Sequence, residues 1–232
     1  MIKAKNLYFK YEDEIVLKNI SLEIKEGSFT AIIGANGSGK TTLAKHFNAL
    51  LMPAKGEVFV DGISTKKDEF NARKKVGFVF QNFEDQIVYS VVEEDIAFGL
   101  ENLNLSNNEI KNAVDEILEE LNIRHLAKRN VNTLSMGQNQ LVALAGVLAM
   151  KPKCVVFDEP TTNLDEKNKK SIMGIIKRLN KKYSMTMILI TNVLNDLKYA
   201  DDVIVLKDGS IIFNDKKSKL RSRILKGARL YA

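Results

Sequence analysis

The chain has 232 residues, 45% of them hydrophobic and 28% charged, with three prolines. That composition excludes a disordered or fibrous chain and fits one large domain or two small ones. A net charge of +6 leaves nucleic acid and anionic membrane surfaces open as partners, and the single cysteine, Cys154, excludes an internal disulfide and reads as a small core residue. The opening Met-Ile-Lys-Ala-Lys-Asn is followed by no apolar leader. The longest apolar stretch, Leu141 to Met150, is half of the ~20 residues that a membrane span takes. The expectation is a cytosolic chain that reaches a membrane only through another subunit.

In chain order, Ile2 to Phe9 alternates as a strand does, and so do Ile20, Leu22 and Ile24 before the turn Lys25-Glu26-Gly27. Phe29 to Ile33 reads as a buried strand and Thr42 to Leu51 as a helix. Glu57 to Val60 and Val76 to Phe80 read as short strands. The pattern then turns helical from Glu93 to Met150. Ile110, Val114, Ile117, Leu118 and Leu121 share one helix face, and Ser106 with Glu109 has capping-box spacing. Gln138 to Met150 reads as a second helix. Val155 to Phe157 is a buried strand, Glu166 to Lys182 a helix, and Met185 to Ile190 and Val203 to Leu206 are strands. Lys207-Asp208-Gly209-Ser210 makes a hairpin turn into Ile211-Ile212-Phe213. Strands alternating with helices predict a largely parallel sheet covered on both faces.

Between the strand at Phe29 and the helix at Thr42 lies Gly34-Ala35-Asn36-Gly37-Ser38-Gly39-Lys40-Thr41, the phosphate-loop pattern in its strand-loop-helix context. Backbone N–H groups and the positive end of a helix can surround a triphosphate there without side-chain hindrance. Gly34, Asn36, Gly37, Ser38, Gly39, Lys40, Thr41 and Thr42 are the candidate nucleotide-binding residues. Lys40 reaches for the β- and γ-phosphates and Thr41 for Mg²⁺. The apolar run Val155-Val156-Phe157 delivers Asp158 and Glu159 at its carboxyl end, the edge where open parallel sheets bind ligands. Asp158 is the candidate for the Mg²⁺ shell and Glu159 for the general base that polarises water.

Leu134-Ser135-Met136-Gly137-Gln138 resembles the Leu-Ser-Gly-Gly-Gln signature of the ATP-binding cassette family. The resemblance spans Ile2 to about Phe213. It includes the phosphate loop, Gln81, the signature, Asp158-Glu159, Thr162-Asn163-Leu164-Asp165 and a switch position after the strand ending at Ile190, in that order. It implies an α/β fold: a P-loop NTPase (RecA-like) core with an antiparallel β subdomain and an inserted α-helical subdomain. Residues 1–85 and 151–213 would form the core with the β subdomain, 86–150 the helical insert with the signature, and 214–232 a basic tail. Within the family, Gln81-Asn82-Phe83-Glu84-Asp85-Gln86 and Val91 to Gly99 resemble the cobalt and energy-coupling-factor branch, with Phe83 where a proline is usual; an importer of another class is the alternative.

The resemblance further implies ATP and Mg²⁺ as cofactors, with Thr41, Gln81 and Asp158 near the metal. Gln81 would contact Mg²⁺ or the attacking water. It implies that Tyr11 stacks on adenine, the alternative being a tyrosine packed on its own sheet. Ser135, Met136, Gly137 and Gln138 would face the ATP of a partner cassette. Two positions depart from the family pattern. Met136 stands for the first glycine of the signature, and Asn192 for the switch histidine, whose positive charge an asparagine cannot supply. His46 and His125 lie elsewhere and read as structural or surface residues. Leu141 stands where an arginine is common.

The implied function is the ATP-hydrolysing subunit of a membrane importer, slowed by Asn192 and Met136. The alternative is a nucleotide-binding regulatory subunit paired with an active cassette. The implied partners are a second ATPase subunit, identical or not, and an integral membrane subunit, with no nucleic acid. The implied location is peripheral, at the cytoplasmic face of the membrane. The short helical insert and single cassette argue against a repair or translation protein. The basic tail from Lys216 to Arg229 reads as a solvated end, or as an amphipathic contact through Ile224, Leu225 and Leu230.

Overall fold

A computed structural model describes residues 1–162, 164–228 and 230, apart from the Glu84 side chain. Asn163 of the motif after Glu159 and Arg229 of the basic tail lie outside the described residues. The chain opens with β1 (Ile2–Tyr11) and β2 (Glu14–Ile24), an antiparallel pair whose alternate residues Ile20, Leu22 and Ile24 point into a core. Next come β3 (Phe29–Ile33), α1 (Lys40–Phe47), β4 (Lys55–Val60), β5 (Ile63–Ser64), α2 (Glu69–Lys75) and β6 (Val76–Val79). Three helices follow: α3 (Val92–Glu101), α4 (Asn107–Glu120) and α5 (Met136–Ala149). The chain continues through β7 (Cys154–Asp158), α6 (Glu166–Tyr183), β8 (Thr186–Ile190), β9 (Asp202–Lys207), β10 (Ser210–Lys216) and α7 (Ser222–Gly227).

Among the described residues, β2-β1-β4-β5 form one antiparallel sheet and β10-β9-β3-β8-β7-β6 a second. In the second sheet every pairing is parallel except that of β10 with β9. Its inner strands β3, β7 and β8 are buried along their full length, as a sheet covered on both faces requires. One apolar cluster joins the face of this sheet under α3–α6; the other fills the space between the two sheets and takes in α1. Cys154 is fully buried in that second cluster. Parallel strands share one carboxyl edge, so the residues after β3, β6, β7 and β8 emerge side by side.

α1 covers Lys40–Phe47 rather than Thr42–Leu51. It stops because Ala49 turns left-handed (φ 57°) and Leu50 and Leu51 donate back to the Lys45 carbonyl. Apolar spacing through Leu50 and Leu51 imitates a further turn that the backbone does not make. The tail also differs from a solvated end. β10 continues to Lys216, past the boundary at residue 214, and Leu220, Ile224, Leu225 and Leu230 pack against the chain's own core. Those apolar side chains are therefore spent on the fold rather than on an amphipathic surface. Among the described residues, no helix is long and apolar enough to cross a membrane.

Candidate active site

β3 runs straight into the loop at Gly34, where the backbone must pass close to β9. A Cβ at Gly34 would lie 2.4 Å from the Leu206 carbonyl oxygen and 2.5 Å from the Ser38 hydroxyl, so only glycine fits. Asn36 and Gly37 form the exposed tip. Gly39 turns left-handed (φ 97°) as the N-cap of α1 and supplies no side-chain cap, and no acid lies in the helix's first turn. The first N–H groups of α1 are thus left without side-chain acceptors, and the positive helix end faces the loop. The Ser38 hydroxyl is buried without a hydrogen-bond partner among the described residues. Lys40 folds back over the loop, its Nζ donating to the Gly34 and Ala35 carbonyls at 2.9 and 3.1 Å. Burial pulls the Lys40 pKa below its ordinary value, against the opposing pull of the Glu159 and Asp158 carboxylates. Thr42 is half-buried, its carbonyl bonded to the His46 ring.

The acids arrive from β7. Asp158 is buried and accepts from the Thr41 hydroxyl at 3.0 Å, which joins the phosphate loop to the acidic strand end. Burial pushes the Asp158 pKa up; Glu159 adds to the rise, while Thr41, Lys45 and Lys40 oppose it. Glu159 adopts a left-handed backbone (φ 48°), held by its own N–H donating to the Ile190 carbonyl at 3.0 Å. That conformation costs a non-glycine residue about 1–2 kcal/mol. Glu159 Oε2 accepts from the Thr162 hydroxyl at 3.1 Å and from Gln81 Nε2 at 3.4 Å. Gln81, just beyond β6, is thus held against the candidate base. Asn192 is exposed, two residues beyond β8.

Other candidates stand apart from this cluster. Tyr11 is 45% exposed, its ring edge-on to Phe9 at 4.8 Å, and Phe9 meets His46 at the same distance. The ring therefore packs on its own sheet while keeping a free face. Ser135 is the N-cap of α5: its hydroxyl accepts from the Gln138 N–H and the Gln138 side chain accepts from the Ser135 N–H. Met136, the first residue of α5, is 47% exposed and lines an open hollow with Phe83, Ile87, Tyr89 and Leu134. Gly137 is buried, and a Cβ there would come within 3.3 Å of the Asn168 side chain.

Residues 17–162 match the family model described as ABC transporter. The chain belongs to the ABC transporter family. Among curated ABC proteins, the energy-coupling factor transporter ATP-binding protein EcfA1 of Clostridium novyi (strain NT) is 43% identical over 97% of this chain and 82% of its own length. The EcfA1 of Clostridioides difficile (strain 630) is 44% identical over 97% and 83%. Among solved structures, cbiO1 from Clostridium perfringens, described as part of the ABC transporter complex cbiONQ, superposes with a TM-score of 0.87 at 34% identity, covering 99% of this chain and 94% of that one. The dimeric cassette MJ0796 bound to ADP and Pi gives 0.82 at 34% identity, over 93% and 98%.

This ABC cassette also uses residues that no sequence motif announced. Gln140, buried in α5, donates its side-chain amide to the Pro160 carbonyl and so ties the signature helix to the segment after Glu159. Its only sequence signal is a third polar residue, after Gln138 and Asn139, immediately before the apolar run that follows the signature. Thr162 was legible as part of a motif, but its bond to Glu159 was not. His46 is fully buried with Nδ1 2.7 Å from the Thr42 carbonyl, so Nδ1 carries the proton and the ring is structural; His125 is exposed.

Proposed function

We propose that the chain binds Mg-ATP and hydrolyses it as the ATPase subunit of an energy-coupling-factor-type importer. The observation that carries this reading is the convergence of Lys40, Thr41, Asp158 and Glu159 at one sheet edge, through the Thr41–Asp158 bond at 3.0 Å. The loop suits a triphosphate: Ser38 has an unpartnered buried hydroxyl, Gly34 lets the loop pack against Leu206 and Ser38, and α1 presents its uncapped positive end. The hydroxyl of Thr41, the carboxylate of Asp158 and the amide oxygen of Gln81 are hard donors that suit Mg²⁺. Mg²⁺ keeps several waters and is bound through one or two carboxylates plus substrate phosphates, which a site with the single Asp158 carboxylate beside Thr41 can supply. When bound, the ion neutralises charge on the β- and γ-phosphates.

In this reading Lys40 leaves its two carbonyls for phosphate oxygens, an exchange of neutral acceptors for charged ones. Glu159 takes the proton of the attacking water on its carboxylate, held in place by Thr162 and by Gln81, which orients that water. Tyr11 offers its free face to adenine. The relatives' names support a transporter complex; in this reading its other parts are a second cassette and an integral membrane subunit, with this chain in a peripheral place at the cytoplasmic face of the membrane. Ser135, Met136, Gly137 and Gln138 would then complete the partner's site rather than this chain's own. A core and β subdomain of 1–85 and 151–213 with a helical insert of 86–150 is the division under which such subunits would move.

The calorimetric heat of Mg-ATP binding and steady-state phosphate release test this directly. Glu159→Gln should keep binding and lose about 10²–10⁴-fold in turnover. No binding heat in the wild-type chain would end the proposal. A second reading, a regulatory subunit with little turnover, is favoured by Asn192 and Met136 and opposed by Glu159 with both of its partners. Asn192→His decides between degrees of activity: recovery of a transition-state contact should raise turnover about 10²-fold. A wild-type rate already typical of intact cassettes, unchanged by that substitution, would show that position 192 does not slow the enzyme.

A further inference from the structure

Behind the reactive edge lies a buried carboxylate to which the motifs assign no role. Asp196, in the turn after β8, is 1% exposed. Its Oδ2 accepts from the Thr191 hydroxyl at 3.0 Å and from the Thr161 hydroxyl at 3.4 Å. Its Oδ1 faces the Lys169 ammonium of α6 at 3.3 Å, an ion pair without hydrogen-bond geometry. The two threonines are placed tellingly. Thr161 lies two residues after Glu159, and Thr191 immediately precedes Asn192. The Thr191 hydroxyl also accepts from the Val193 N–H at 3.0 Å, so it spans the switch residue from both sides. A hydroxyl has one proton, and here it points to Asp196 because the Val193 N–H can only donate.

We infer that Asp196 is a positioning residue for ATP hydrolysis: one buried anion sets the spacing between the segment that carries Glu159 and the segment that carries Asn192. This deepens the hydrolytic reading and rests on it. The geometry argues for a shared anchor rather than two local turns, because both hydroxyls converge on the same oxygen from the separate segments that follow β7 and β8. A fold needing only charge neutrality for Lys169 would not require both. Loss of the anchor leaves the segments beyond the Glu159–Ile190 backbone bond less tightly spaced, and misplacement of about 1 Å in such a site costs on the order of 10²-fold in rate.

The test uses the full chain with Mg-ATP. Asp196→Ala should lower kcat by about 10²-fold with KM changed by less than about threefold, the split that marks loss of transition-state rather than ground-state binding. Asp196→Asn keeps an oxygen for both hydroxyls and should recover most of that loss. Hydrogen exchange at the Val193 amide, protected in the wild-type chain, should quicken in Asp196→Ala. Asn180→Ala is the control for stability alone, since that side chain ties the Gly27 and Met185 carbonyls together at the far edge of the sheet. If Asp196→Ala does not fold, Thr191→Val removes one arm of the anchor and should show the same split. A kcat that falls no further than in Asn180→Ala at equal loss of Tm overturns the inference. A wild-type chain that binds Mg-ATP but never turns it over removes the hydrolytic reading itself, a distinct result.

Discussion

His46 should make this protein sensitive to mild acid. The ring is fully buried in α1, edge-on to Phe9, with Nδ1–H bonded to the Thr42 carbonyl. Burial drives its pKa from 6.5 down to about 4 and outweighs the backbone contacts at Thr42 and Met52, which favour the proton. The folded-state pKa is depressed, so between pH 6.5 and 4 the unfolded chain binds more protons than the folded one. The stability that His46 contributes is therefore complete above pH 6.5 and drains away as pH falls towards 4. Linkage over that window gives a loss of about 2 kcal/mol by pH 5 and about 3 by pH 4. His46→Phe keeps a ring beside Phe9 and removes the titration; losing the Thr42 bond shifts its stability by an amount that does not vary with pH. Urea unfolding of both proteins at pH 7.5 and pH 5 should show the wild-type chain losing about 2 kcal/mol more than the variant. Parallel pH profiles, or a His46 ring resonance that titrates at 6.5, would refute the reasoning.

Gly34→Ala should be poorly tolerated, because its Cβ meets the Leu206 carbonyl oxygen at 2.4 Å and the Ser38 hydroxyl at 2.5 Å. The loop must shift, and Mg-ATP affinity by calorimetry should fall by about tenfold or more, with a lowered Tm. Met136→Gly should cost the chain up to about 1 kcal/mol in urea unfolding through weakened helix propensity. In the assembled cassette pair it should raise phosphate release, since glycine clears a side chain that is 47% exposed at the start of α5.

What the sequence made legible was whatever is written in consecutive residues. β3 and the loop follow from one apolar run and one glycine pattern, with α1 beginning two residues earlier than Thr42, and β7 with its two acids from another. The Ser106–Glu109 capping box and the Asp208-Gly209 hairpin, where both residues have positive φ, are local chemistry and appear where their spacing puts them. Where local signals misled, a specific conformation intervened. Ala49 takes a left-handed turn normally marked by glycine, so the end of α1 had no visible punctuation. α2 is short and begins at the Asp68 cap inside a charged stretch with little periodicity. The tail's apolar residues could be seen but not their destination, because amphipathic spacing does not say whether a core or a foreign surface receives the face.

The long-range bonds were invisible for a deeper reason. Thr41 to Asp158, Gln81 to Glu159 and Thr161 to Asp196 join residues that the parallel sheet makes neighbours, and Gln140 to Pro160 joins α5 to that sheet's carboxyl edge. Their sum is an electrostatic frame left deliberately unbalanced by burial. Lys40 is pulled towards neutrality and Asp158 towards protonation, so the folded site disfavours both of its charges even though each supports the other. A triphosphate supplies the anion that Lys40 lacks, and a divalent cation supplies the positive charge that Asp158 and Glu159 lack. Either alone relieves one side and leaves the other carboxylate or ammonium half-compensated. The two should therefore bind with positive coupling, each raising the other's affinity by the same factor. Calorimetry of ATP with and without Mg²⁺, corrected for chelation of Mg²⁺ by free ATP, reads that factor, and equal affinities would mean that the phosphate loop and the acidic strand end are not coupled.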